Sequence, residues 1–378
     1  MADSRAISKE LLAQYRDENG VFYPFNIFVK NHMDKLAVCF RGNGNPAQIS
    51  IYHNNHIVWN LYEEGGEYKV SISFNHARYC EDWQNKLDDL AKLGFKIVDA
   101  NGNKLLPGDM DSIGYLVCNC SSKEFSKNPI EFVFNSYSII MSYMNVFFTP
   151  KNEVDIDYFK GAETKSKKNL AEKRWQQWLF NNLKYTNNGL FAYDLEFSQP
   201  GGSSLDETNE PDMLAIRYKE GVPEAIVLVE VKTLFSACAP RKKEAGKRGS
   251  DIYEHLKGMR NYSKGESIVS RREEVHEILK AYKDLGIYVK RDQVIPEKDN
   301  KLPVECMLIM TSADLIDIDY KIKSAESAIH YYFTYQDMVD AACLDENGEK
   351  FCDIRLVGDF SKNRNFPAAI YNMPTEWN

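Results

Sequence analysis

The stretch "NEPDMLAIRYKEGVPEAIVLVEVKT", Asn209 to Thr233, holds a contradiction whose resolution decides the fold. Its second half is the strongly apolar run "AIVLVEVKT", the pattern of a strand in the middle of a sheet, yet it carries Glu230 and Lys232. The two-residue period of a strand sends Ile226, Leu228, Glu230 and Lys232 to one face and Val227, Val229 and Val231 to the other. Charges on a buried face need partners. The first half of the stretch supplies one. "DMLAIRY" reads as a second strand, and a turn at "EGVP", Glu220 to Pro223, folds it back so that Asp212 comes to lie beside Glu230.

Two carboxylates and an ammonium then converge. Neighbouring carboxylates repel, and they are stable together mainly when a hard divalent cation sits between them. Mg²⁺ prefers such oxygen ligands and keeps several waters. A metal-bound water gives up its proton more readily, and a lysine beside it can orient the nucleophile and neutralise charge developing on a phosphate. The chemistry implied is hydrolysis of a phosphodiester.

Pro211-Asp212 followed by Glu230-Val231-Lys232 resembles the signature of the PD-(D/E)XK nuclease superfamily, over roughly Lys165 to Asp359. The resemblance implies a restriction-endonuclease-like fold: an α/β domain whose mixed β-sheet is flanked by helices. It implies metal binding by Asp212, Glu230 and the carbonyl of Val231, with Lys232 assisting the attacking water. It also implies DNA as partner and Mg²⁺ as cofactor, with Mn²⁺ able to substitute. Such families often carry a glutamate on the helix before the core strands. Glu172 matches, because i+3 and i+7 spacing puts it on one helical face with Trp175 and Leu179. Glu163, Asp194 and Glu196 compete for that role. The E-x-K tripeptide recurs at Glu67-Tyr-Lys69 and Glu163-Thr-Lys165, so the weight rests on the apolar strand and its upstream Pro-Asp pair.

Downstream, "SDIYEHLKGMRNYSKG" is helical, and His255 and Tyr262 are candidates to support the lysine or to touch the DNA backbone. The glutamine that some exonuclease-like members place there is absent. Between strand and helix lies a basic, glycine-containing loop with Arg241, Lys242, Lys243, Lys247 and Arg248. Cations beside a polyanion release its counterions, so this loop reads as a phosphate clamp, with a solvated charge run as the alternative.

The rest of the chain organises around this site. "KNLAEKRWQQWLFNNL", "DIYEHLKGMRNY" and "VSRREEVHEILKAYKDL" have helical spacing, while "LFAYDLEF" and "VECMLIM" are strand-like. Upstream, the polar segment "TPKNEVDIDYFKGAETKSKK" marks a boundary, giving expected domains of 1–155 and 156–378. The first is expected to be a β-rich α+β module: an opening helix, then "KLAVCF", "AQISIYH", "HIVWNLY" and "YKVSISF" as an antiparallel meander, then a helix ending at Gly94. Tyr52, Trp59, Tyr62, Tyr68 and Phe74 suit either a base-stacking platform or core and cross-strand packing. Recognition of substrate, sensing of a signal and pairing into a homodimer are all open roles for it.

Composition narrows the class. The 378 residues with 43% hydrophobic content allow two ordinary cores, and the net charge of -8 opposes binding nucleic acid or anionic membrane over the whole surface. The charged N-terminus lacks a secretory pattern, and Phe132 to Phe148 is too interrupted for a membrane span, so a cytoplasmic protein with no membrane partner is expected. The eight cysteines show no C-x-x-C, and Cys118-Asn-Cys120 and His53-x-x-His56 each lack half of a four-ligand set. Reduced, structural thiols follow.

Overall fold

The computed structural model describes residues 6–42, 46–53, 55–73, 82–98, 115–148, 163–195, 211–239, 252–265, 267–311 and 327–357. The chain folds as two compact units, Asp3–Lys151 and Asn152–Asn378.

The first unit opens with two helices. α1 (Lys9–Arg16) starts where Ser8 Oγ accepts the Leu11 N–H at 3.1 Å, and α2 (Tyr23–Lys30) has proline in its first turn, where no N–H is missed. The expected meander follows as β1 (Leu36–Arg41), β2 (Gln48–His53), β3 (His56–Glu64) and β4 (Glu67–Ser73). Gly65 and Gly66, at φ 63° and 78°, form the two-residue turn between Glu64 and Glu67, whose twist suits paired strands. α3 (Trp83–Lys92) ends at Gly94, which adopts φ 92°. β5 (Lys96–Val98), β6 (Tyr115–Asn119), α4 (Lys123–Lys127) and α5 (Pro129–Phe148) complete the unit. The described strands form one antiparallel sheet in the order β1-β2-β3-β4-β6-β5. Among the described residues no helix is long and apolar enough to cross a membrane.

The aromatics of the meander are core. Trp59 is fully buried, its ring 5.2 Å from Phe25 and 5.7 Å from both Phe28 and Tyr137, and its Nε1 donates to Ser136 Oγ at 3.2 Å. Tyr52 and Tyr62 are buried, and Tyr68 packs edge-on against Phe22. Of the readings of this set, core packing is the one realised; Phe74 lies outside the described residues.

The second unit begins with α6 (Glu163–Asn182) and a three-stranded meander, β7 (Gly189–Leu195), β8 (Met213–Lys219) and β9 (Val222–Lys232). After α7 (Phe235–Cys238), α8 (Ile252–Lys264) and α9 (Ser267–Leu285), β10 (Val304–Thr311) joins the sheet. α10 (Ala328–Thr334), α11 (Gln336–Ala342) and β11 (Cys352–Val357) follow. The strand order is β11-β10-β9-β8-β7, antiparallel from β7 to β9 and parallel from β9 to β11. It is a mixed sheet in an α/β unit, with β9 at its centre.

The β8–β9 turn is tighter than "EGVP" suggests. Lys219 pairs with Val222 across Glu220 and Gly221 alone, at φ 51° and 78°. The Gly221 N–H donates to the Asn187 carbonyl and the Glu220 N–H to Asn188 Oδ1, both at 2.8 Å. Pro223 therefore belongs to the strand. It is tolerated because the register shifts there: Pro223 pairs with Tyr218 and Ala225 with Arg217, leaving Glu224 as the extra residue of a bulge.

Candidate active site

The register fixes the first relationship. Met213 faces Val229, so Asp212, one residue before β8, falls opposite Glu230. The half-buried Asp212 extends the ladder with its side chain: Oδ2 accepts the Val231 N–H at 2.7 Å. Glu230 and Lys232 project from one face of β9 and are 1% and 4% exposed. The strand's period predicts this shared face, and β9 is buried from Ala225 to Lys232.

Two helices meet that face. From α8, His255 Nδ1 lies 2.7 Å from Glu230 Oε1. From α6, Glu172 Oε1 lies 3.7 Å from Lys232 Nζ, and the Glu172 carboxylate also accepts the Thr233 N–H. Lys232 Nζ donates to Glu230 Oε1 at 2.5 Å. The ammonium and the imidazole thus both face one oxygen of Glu230. The other, Oε2, is buried without a hydrogen-bond partner. An orphaned carboxylate oxygen is costly, about 1–3 kcal/mol or more when the group is charged.

The charges do not balance. Glu172, Asp212 and Glu230 are three carboxylates gathered around a single ammonium. Burial, and then the Glu230 charge, push the Asp212 carboxyl well above its usual range. Burial likewise raises Glu172, though Lys232 opposes it. Burial also acts on Glu230, but Lys232 and His255 outweigh it and hold its carboxyl down to about 2. Lys232 is lifted well above its usual value because Glu172, Glu230 and Asp212 overcome the effect of burial.

Asp212, Glu230, Val231, Lys232 and Glu172 are therefore brought together, with His255 joined to Glu230 directly. Tyr262 is 2% exposed, within the buried stripe of α8. Arg241, Lys242, Lys243, Lys247 and Arg248 lie outside the described residues, as does Glu196. Asp194 is buried, its Oδ1 accepting the Leu195 N–H at 2.8 Å. Two neighbours escape sequence reasoning. Cys238, in α7, is a buried thiol raised to about 12 by burial. Thr233 is tied through Oγ1 to Thr311 at 2.9 Å, and only its place beside Lys232 could have drawn attention to it.

The groups able to hold a divalent cation are the Asp212 and Glu230 carboxylates and the Val231 carbonyl. Among the described residues no group of three or more His, Cys, Asp or Glu is disposed to bind a metal. The reason is visible in Glu172, which is directed to Lys232 and Thr233. A two-carboxylate set suits Mg²⁺, which is commonly held by one or two carboxylates and retains water. Elsewhere, Cys118 and Cys120 are buried free thiols, and His53 Nδ1 is 3.2 Å from the Tyr137 hydroxyl. Compared with protein-family models, with curated proteins and with solved structures, the chain matches none.

Proposed function

We propose that the second unit is a Mg²⁺- or Mn²⁺-dependent nuclease of restriction-endonuclease-like fold that hydrolyses DNA phosphodiester bonds. One observation carries the reading: Glu230, almost wholly buried, keeps Oε2 without a partner beside a second carboxylate at Asp212. A divalent cation there would satisfy that oxygen and favour the ionised form of Asp212, which burial opposes. The mixed sheet, with a helix before its meander and another before its parallel strand, supports the fold assignment.

The bound metal supplies a Lewis acid and an acidified water. The chain's own residues do the rest. Asp212 and Glu230 would hold the cation; Glu230 is fixed by the pairing of β9 with β8 and β10, and Asp212 by accepting the Val231 N–H. Lys232, kept protonated by its carboxylate neighbours, places positive charge next to Glu230, where it can stabilise the charge that gathers on a phosphate during attack. Glu172 anchors that ammonium and orients it.

A second reading is favoured by the short Lys232–Glu230 contact: the charges form a structural pair in a fold that binds nucleic acid or a ligand without cutting it. Incubating purified protein with DNA and either metal separates the two. The nuclease reading expects cleavage that Asp212→Ala, Glu230→Ala and Lys232→Ala each abolish while leaving the circular dichroism of a folded protein. It fails if wild-type protein cuts no DNA with either metal, or if Lys232→Ala cuts at the wild-type rate.

A further inference from the structure

We infer that His255 is a positioning residue for Glu230, holding its carboxylate in the rotation that presents Oε2 to a divalent cation. The inference rests on the metal-dependent reading of the site and adds a residue to it.

The placement of His255 follows from its helix. Ile252, Leu256, Met259 and Tyr262 form the buried stripe of α8, and His255 stands within that stripe, three residues after Ile252 and four before Met259. An apolar residue is expected at such a position. The histidine instead meets Glu230, with Nδ1 2.7 Å from Oε1. Lys232 donates to the same Oε1 at 2.5 Å. A carboxylate on a strand can rotate about its last bond, and a single donor does not fix which oxygen faces which way. Two donors arriving from different elements, one from β9 and one from α8, do. The consequence is the asymmetry already described: Oε1 faces both nitrogens, the ammonium at 2.5 Å and the imidazole at 2.7 Å, and Oε2 has no partner.

His255 thereby also separates the roles of Lys232. If the lysine alone oriented Glu230, it would be committed to that contact. With the imidazole sharing Oε1, Lys232 can give up part of its contact to a substrate phosphate without releasing the ligand. Partners that orient ligating side chains typically contribute about 10–100-fold in metal affinity.

The test is Mn²⁺ binding to the full chain, measured by electron paramagnetic resonance and by calorimetry, in wild type, His255→Ala and His255→Asn. Asparagine places an N–H donor close to where Nδ1 stood, so it controls for any effect of removing the ring. The expected result is Mn²⁺ affinity about 10–100-fold weaker in His255→Ala and largely restored in His255→Asn. Cleavage by His255→Ala should recover at saturating Mn²⁺, whereas Lys232→Ala should not recover at any concentration. Unchanged Mn²⁺ affinity in His255→Ala, or no recovery in His255→Asn, overturns the positioning role while leaving the metal site standing. Absence of Mn²⁺ binding by wild type removes the metal site itself and the inference with it.

Discussion

The Asp212 carboxylate accepts the main-chain N–H of Val231 at 2.7 Å, so an ionisable side chain completes the ladder between β8 and β9. An amide could accept that bond equally well. The charge is therefore superfluous to the fold, and the site retains it at a cost in stability.

Asp212→Asn should accordingly stabilise the metal-free protein at neutral pH while abolishing cleavage. The sign follows from the raised folded-state carboxyl: relative to the unfolded chain, its favourable contribution is complete below the ordinary aspartate value of 3.8 and is lost as pH rises through the higher folded value. Thermal unfolding in chelator should show Asp212→Asn melting higher than wild type at neutral pH, with the gain vanishing in acid. A lower melting point at neutral pH would show that the carboxylate earns its place structurally.

Glu230→Gln should act in the opposite direction. The folded carboxyl is held at about 2 against 4.5 for the free side chain, so its contribution is present above 4.5 and is lost as pH falls toward 2. Removing the charge takes from buried Lys232 its nearest carboxylate, leaving Glu172 and the more weakly acting Asp212. Breaking a buried pair in this way costs about 3 kcal/mol, measurable by urea unfolding at neutral pH.

In the first unit, Trp59→Ala should cost about 3–5 kcal/mol, because a fully buried indole leaves a cavity between β3 and the helices α2 and α5. Phe134→Ala, 61% exposed on α5, should change stability by no more than about 0.5 kcal/mol. Denaturant titration of the two variants compares core with surface. Equal costs would contradict the packing described.

The β8–β9 turn gives a fourth test. Glu220 occupies the left-handed region at φ 51°, where asparagine is better tolerated, so Glu220→Asn should gain roughly 0.5–1 kcal/mol. Gly221→Ala should lose about 1 kcal/mol or more, since φ is 78° and the added methyl would lie 3.3 Å from the Tyr185 hydroxyl. Chemical denaturation of both variants reads the signs.

Legibility in the sequence tracks how local each relationship is. The face shared by Glu230 and Lys232, and the return of Asp212 beside them, depend only on a two-residue period and a short turn, and both can be read directly. The inward lean of Glu172 follows from its spacing to Trp175 and Leu179 on one helix. The contact between His255 and Glu230 was not legible, because it depends on where α8 crosses the sheet after a long connection from β9. The same holds for Trp59, whose burial is decided by α2 and α5 rather than by its own strand. β5 is illegible for a different reason: three residues are too few to set up a period. β11 exposes Asp353 and Arg355 in part and so lacks the apolar signature of β9 and β10.

Just past Lys232 the chain is clasped. The Thr233 carbonyl accepts the Ala328 N–H at 2.8 Å, its hydroxyl accepts from Thr311, and Leu234 bridges Ser327. These anchors come from roughly eighty to ninety-five positions downstream of the lysine: Thr311 ends β10, whereas Ser327 and Ala328 lie beyond it. A shortened form cut after β10 would retain Asp212, Glu230, Lys232 and His255 and still lack the segment that holds the site end of β9 in place. The smallest piece able to keep the site's geometry must therefore run through α10, however complete the set of chemical groups looks without it.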